Sequence, residues 1–100
     1  MSKVVKQHGG LKTAPFDPAD ATAIQAIFDG RADEGQQRRG MRWLLESACG
    51  IHEMSYVPGD SRQTDFNEGK RFVGKQLAEL LRTNVPELIE RLRRSNEIQK

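Results

Sequence analysis

Cys49, His52 and Glu53 place a thiol, an imidazole and a carboxylate in one short stretch. A thiol beside an imidazole is the start of a cysteine nucleophile with its base, and Cys and His together are half of a zinc site. Neither chemistry is completed. Zinc asks for four ligands, and with one Cys and two His in the chain, the other His is His8, near the N-terminus. Cys49 also closes an apolar helical stretch, where a lone cysteine behaves as a small hydrophobe. A second cluster, Asp60, Asp65 and Glu68, has the composition of an acid/base pair. Turn and cap chemistry accounts for it: Asp60 belongs to a Pro-Gly-Asp-Ser turn, and Asp65 and Glu68 have capping-box spacing. No glycine loop follows a strand, so no phosphate cradle is expected. The expectation is a non-enzymatic chain with no catalytic residue, metal or cofactor.

The elements that position these residues read as helices throughout. Residues 1–16 lack an apolar period, contain Gly9, Gly10 and Pro15, and read as a flexible basic arm. Asp17-Pro18-Ala19-Asp20 is a helix start, with Asp17 as cap, Pro18 in the first turn and Asp20 favourable to the dipole. Ala21, Ile24, Ile27 and Phe28 then form a stripe, and Gly30 closes a first helix over about 18–29. Residues 31–40 are polar and broken by Gly35 and Gly40, an optional first half of helix two. Met41, Leu44, Leu45 and Ala48 make its firm half, with Trp43 alongside. Gly50 and Ile51 have the sequence form of a Schellman stop.

Met54, Tyr56 and Val57 are expected to fold an ordered loop back over the helices. Helix three is read from Thr64-Asp65, with Phe66, Val73, Leu77, Leu80 and Leu81 on one face. Gly69 and Gly74 inside it each cost up to about 1 kcal/mol relative to alanine, which points to close packing at both. Asn84-Val85-Pro86-Glu87 starts helix four, striped by Val85, Leu88, Ile89 and Leu92 and fraying from about Ser95, with residues 96–100 as a frayed C-terminus. The result is an all-α single domain over 17–95, a small bundle or array of about four helices.

With 36% apolar and 30% charged residues and a mean hydropathy of −0.70, the chain has a thin core, so partners are expected to supply part of its stability. No run is long enough for a membrane span and no apolar leader core is present, which makes the cytoplasm the expected location. The net charge of +2 falls short of the field of a dedicated nucleic-acid binder. Its distribution still offers phosphate contacts at the two ends, through Lys3, Lys6 and Lys12 and through Arg91, Arg93 and Arg94, beside the plainer reading of solubilising tails. A helix-turn-helix is disfavoured, because the connection between helices two and three is long and helix three opens on acids. Between Phe66 and Arg71 the polar residues crowd, and a Glu68–Arg71 pair that anchors the loop carrying Tyr56 stands beside a partner-binding patch as the two readings.

Trp43-Leu44-Leu45, Cys49-Gly50, Tyr56 and the run Thr64-Asp65-Phe66-Asn67-Glu68-Gly69-Lys70-Arg71-Phe72-Val73-Gly74 together resemble the Bbp-nineteen-like phage domain, a family of small tailed-bacteriophage proteins. Its members pair a leucine-rich helix ending in Cys-Gly with an Asn-Glu-Gly-Arg-Arg-x-Val-Gly signature, and here Lys70 stands where arginine is common. The resemblance covers about residues 38–94. It implies a place in the virion structure and assembly modules of short-tailed phages, with other phage structural or assembly proteins as partners, and carries no enzymatic activity. Trp43, Cys49, Gly50, Tyr56, Phe66, Asn67, Glu68, Gly69, Arg71 and Gly74 are the signature positions it singles out.

Overall fold

The computed structural model describes residues 7, 8 and 10–98. Among them the chain is all-α apart from a short hairpin, with four helices and no helix long and apolar enough to cross a membrane. Strands β1 (Gln7–His8) and β2 (Leu11–Lys12) pair antiparallel, with Gly10 at φ +82° in their turn. Residues 10–16, expected to belong to a flexible arm, instead form a strap along the helices. The Trp43 Nε1–H donates to the Pro15 carbonyl at 2.9 Å, and Phe16 shares an apolar groove with Trp43 and Ile24. The indole needs a buried-side acceptor, and an irregular proline-containing segment has carbonyls to spare.

Helix α1 (Pro18–Phe28) starts as its sequence dictates: the Asp20 N–H donates to the Asp17 carboxylate at 2.9 Å, and the Asp17 N–H to the Asp20 carboxylate at 3.1 Å. Gly30, at φ +72°, follows its end. The buried face differs from the expected stripe. Ala23 and Ala26 are fully buried, whereas Ile27 is partly exposed and Phe28 is 88% exposed. The contact with α2 (Glu34–Arg42) includes Gly40, where a Cβ would overlap Ile27 Cδ1. The missing side chain leaves the space that the tips of Ile27 and Ile24 occupy against α2, while Ala23 and Ala26 are the positions wholly closed to solvent.

Of the stretch 31–40 read as an optional half of helix two, residues 34–40 are helical, capped by Asp33 and Gln36 in a second reciprocal box. The helix runs without a break into a π-helical segment, Trp43–Ala48, whose wider ring is closed by the Cys49 N–H on the Leu44 carbonyl at 2.9 Å. The expected glycine stop follows, with Gly50 at φ +60°. Its fold-back bond runs from the Ile51 N–H to the Leu45 carbonyl at 3.2 Å, one residue wider than the ordinary Schellman bond, in keeping with the π turn before it.

Helix α3 (Ser61–Arg82) begins earlier than Thr64. Its cap is Asp60, whose carboxylate accepts from the Gln63 N–H at 3.0 Å, so the Asp65/Glu68 capping box is not the start signal. Helix α4 (Val85–Ile98) is capped by Asn84, which accepts from the Glu87 N–H at 3.1 Å, and it remains helical past Ser95. Helix α1 packs on α2, and α3 packs on the π segment, while α4 has no comparably extensive packing against any of these helices. The array is therefore open: its radius of gyration is 17.9 Å, where a closed chain of this length has about 13 Å.

Candidate functional site

Two glycines and a thiol make the junction at the centre of the signature. Cys49 and Gly74 are buried against each other, and a Cβ built on Gly74 would overlap Ile51 Cγ2 and lie 2.6 Å from Cys49 Cβ. Both atoms sit close to their own backbones, so neither can swing away. Gly74 is thus a packing glycine, as expected. Gly69 is not: it is exposed, with open space where its Cβ would be.

Beside the junction, α3 latches the connecting loop through polar groups. Asn67 Nδ2 donates to the Ser55 carbonyl at 3.0 Å, and Arg71 Nη1 donates to Ser55 Oγ at 3.0 Å. Gln63 Nε2 orients Asn67 by donating to its Oδ1 at 2.8 Å. Nearer the helix start, Thr64 Oγ1 accepts from the Val57 N–H at 2.9 Å and donates to the Asp60 carbonyl at 3.0 Å. Ser55 is consequently buried, although it is a hydroxyl residue on a loop. The loop is ordered, then, but not by its apolar side chains: Met54 and Tyr56 are mostly exposed. The expected Glu68–Arg71 anchor is also modified. Their 3.7 Å contact lies on the outer side with Glu68 exposed, and it is Asn67 and Arg71 that reach the loop. Arg71 Nε is buried with no hydrogen-bond partner.

A third group was not signalled by the sequence. Arg39 on α2 reaches the capping box of α1, with Nε on Asp20 Oδ1 at 2.9 Å and Nη2 on Asp17 Oδ2 at 3.0 Å. The Asp17 carboxyl is held below its ordinary range, chiefly because the Asp20 backbone N–H donates to it; partial burial opposes this, and Arg39 adds charge and a hydrogen bond in the same lowering direction. Arg39 is raised correspondingly, first by its bond to Asp20. One guanidinium thereby ties α1 to α2 at the end where the strap arrives.

The signature residues divide accordingly. Trp43, Cys49, Gly50, Asn67, Arg71 and Gly74 join the strap, the π segment, the loop and α3, whereas Tyr56, Phe66, Glu68 and Gly69 face outward. Lys70 Nζ stands 5.6 Å from the Phe66 ring centroid, a cation over an aromatic face on the surface. His52 is exposed and makes no hydrogen bond to the buried Cys49. No group of three or more His, Cys, Asp or Glu among the described residues is arranged to hold a metal ion. Of the basic residues at the two ends, Lys3 and Lys6 lie outside the described residues. Lys12 is exposed, and Arg93 and Arg94 both contact Glu90, at 2.9 Å and 3.8 Å.

The largest unoccupied chemistry is apolar and lies elsewhere. Val73, Leu80 and Leu81 on α3 and Val85, Ile89 and Leu92 on α4 are each half or more exposed. The first two border a surface groove of about 510 Å³ with Gln76, Leu77, Glu79 and Thr83. These exposed aliphatic residues follow one another along the chain from α3 into α4. Comparison with protein-family models, with curated proteins and with solved structures gave no match.

Proposed function

We propose that this chain is a non-enzymatic protein that works by binding other proteins, and that its setting is the one the resemblance implies: a virion-associated or assembly component of a tailed bacteriophage, in the host cytoplasm and in the virion. The observation that carries the binding role is the uncovered aliphatic surface running from the end of α3 into α4. The buried Cys49, set apart from the exposed His52, gives a thiol chemistry no support. Co-sedimentation with phage particles and assembly intermediates tests the reading. The wild-type chain is expected in one of these fractions and a Leu80→Ser, Leu81→Ser variant depleted from it. Absence of the wild-type chain from both overturns it.

The alternative, a nucleic-acid-associated accessory protein, draws on Lys3, Lys6, Lys12, Arg91, Arg93 and Arg94. Glu90 engages two of these arginines, which lowers the field α4 offers to phosphates. Retention on DNA that falls steeply as salt is raised would favour this second reading.

A further inference from the structure

We infer that the strap, residues 10–16, is a hinged cover over an aromatic seat, and that it opens and closes while the helices stay folded. The seat lies between the π segment and α3 and uses none of the exposed aliphatic residues of α3 and α4. Trp43 and Ala48 come from the π segment and Phe66 from α3, and with Thr13, Ala14 and Phe16 of the strap they line a recess of about 360 Å³. With the strap lifted, Trp43, Ala48 and Phe66 stand together as one apolar patch that the seated strap screens.

The strap asks little of the body. Its strand β2 pairs with β1 in a two-stranded hairpin, so that ladder persists whether the strap is seated or not. Toward the body, the Trp43 Nε1–H donates to the Pro15 carbonyl at 2.9 Å, while the Lys12 N–H reaches Gln63 Oε1 only at 3.5 Å, the outer limit of such a bond. No residue from 10 to 16 is buried, and none is in an ion pair with another described residue. The packing beneath is open as well. Besides the recess at Trp43, one of about 520 Å³ separates the strap from Ser47, Glu53, Gln63 and Asn67. Close-packed protein leaves few voids larger than a water, so a segment bordered by two such recesses gives up few contacts when it lifts.

The hinge is set by the residue that follows. Asp17 is fixed to the body on its own account: its carboxylate accepts from the Asp20 N–H at 2.9 Å and from Arg39 Nη2 at 3.0 Å, and Pro18 begins the helix. Motion of the strap therefore stops between Phe16 and Asp17 and does not draw α1 with it. The latch is Trp43. An indole N–H released from Pro15 is taken up by water, so the bond itself offers a small net resistance. The apolar contact of half-buried Phe16, in the groove it shares with Trp43, Ala21 and Ile24, supplies most of the closing energy.

Trp43 is the one tryptophan of the chain, so its indole proton and its fluorescence report the strap directly in the full-length protein. In the wild type, the Trp43 indole N–H is expected to be protected from solvent exchange about a hundredfold less than the amides of Ala23 and Ala26 on α1, because the strap opens without the helices. Phe16→Ala is expected to speed exchange of the indole proton about tenfold further, the effect of losing a half-buried aromatic side chain. It is also expected to shift the Trp43 emission to the red, with helical circular dichroism unchanged. Ala14→Leu adds apolar volume at the recess beside Trp43, Ala48 and Phe66, and is expected to slow the same exchange and to reduce quenching of Trp43 by acrylamide. An indole proton as protected as the α1 amides overturns the inference. So does a Phe16→Ala chain whose Trp43 emission is unchanged, or one that loses helix along with the strap, since the strap is then part of the body. An Ala14→Leu chain that opens as freely as the wild type overturns it too. None of these outcomes bears on the surface of α3 and α4, whose test is sedimentation with phage particles.

Discussion

The body formed by α1, α2, the π segment and the first half of α3 differs in kind from the arm formed by the end of α3 and α4. In the body, the buried residues are small or polar: Ala23, Ala26, Cys49, Asp20 and Ser55. Its helices meet at glycines, Gly40 and Gly74, and are tied by single polar side chains, Arg39, Trp43, Asn67 and Arg71. In the arm the residues facing out are large aliphatics, and the ion pairs within α4 are surface pairs worth little each. Close backbone contact lets the body define one arrangement of its elements with very little apolar burial. The same economy leaves the large aliphatic residues outside, where they are available to another chain.

The sharpest way to break the body is to remove its closest approach. Gly74→Ala is expected to lower the unfolding free energy by about 2–3 kcal/mol in urea titration, the range of overpacked cores, since Cys49 Cβ and Ile51 Cγ2 cannot yield. Gly69→Ala, on the same helix but in open space, is expected to raise it by about 0.5–1 kcal/mol. Equal effects at the two glycines would remove the distinction between junction and surface.

Next in size are the latches. Arg71→Ala deletes a charged donor to Ser55, with an expected loss of about 1–2 kcal/mol and faster proteolysis within residues 51–60, while the helicity of α4 stays unchanged. The smallest effect expected is on pH dependence. The folded-state Asp17 carboxyl is held low, so its contribution is present above the unfolded-state value near pH 4 and lost as pH falls through the still lower folded value. Arg39→Met removes part of that lowering. Acid unfolding of the variant should therefore begin at a higher pH than that of the wild type, with the two converging once Asp17 is protonated in both states.

How much of this could be read from the chain depends on whether the signal was local. The α1 cap at Asp17 and Asp20, the left-handed Gly50 and the start of α4 at Asn84 are fixed by residues within a turn of one another, and all three are where the sequence places them. The start of α3 was misplaced because two acids, Asp60 and Asp65, both fit a cap, and residues 61–63 carry no apolar period to separate them. The buried face of α1 was misjudged for a different reason. Hydrophobicity favours Ile27 and Phe28, whereas the fully buried positions are Ala23 and Ala26, and Ile27 reaches with its tip into the space left by a glycine on another helix. Arg39 and Ser55 were illegible because each matters only through partners 12 or more positions away, and no spacing rule reaches that far. Their one trace was indirect: a glycine kept inside a helix, as at Gly40 and Gly74, marks a neighbour that must come close.

The contrast between body and arm is tested most directly by amide hydrogen exchange on the full chain. Amides of α1, α2 and the first half of α3 are expected to be protected, and those of α4 to exchange rapidly in the isolated chain. Protection of α4 equal to that of α1 would contradict the account.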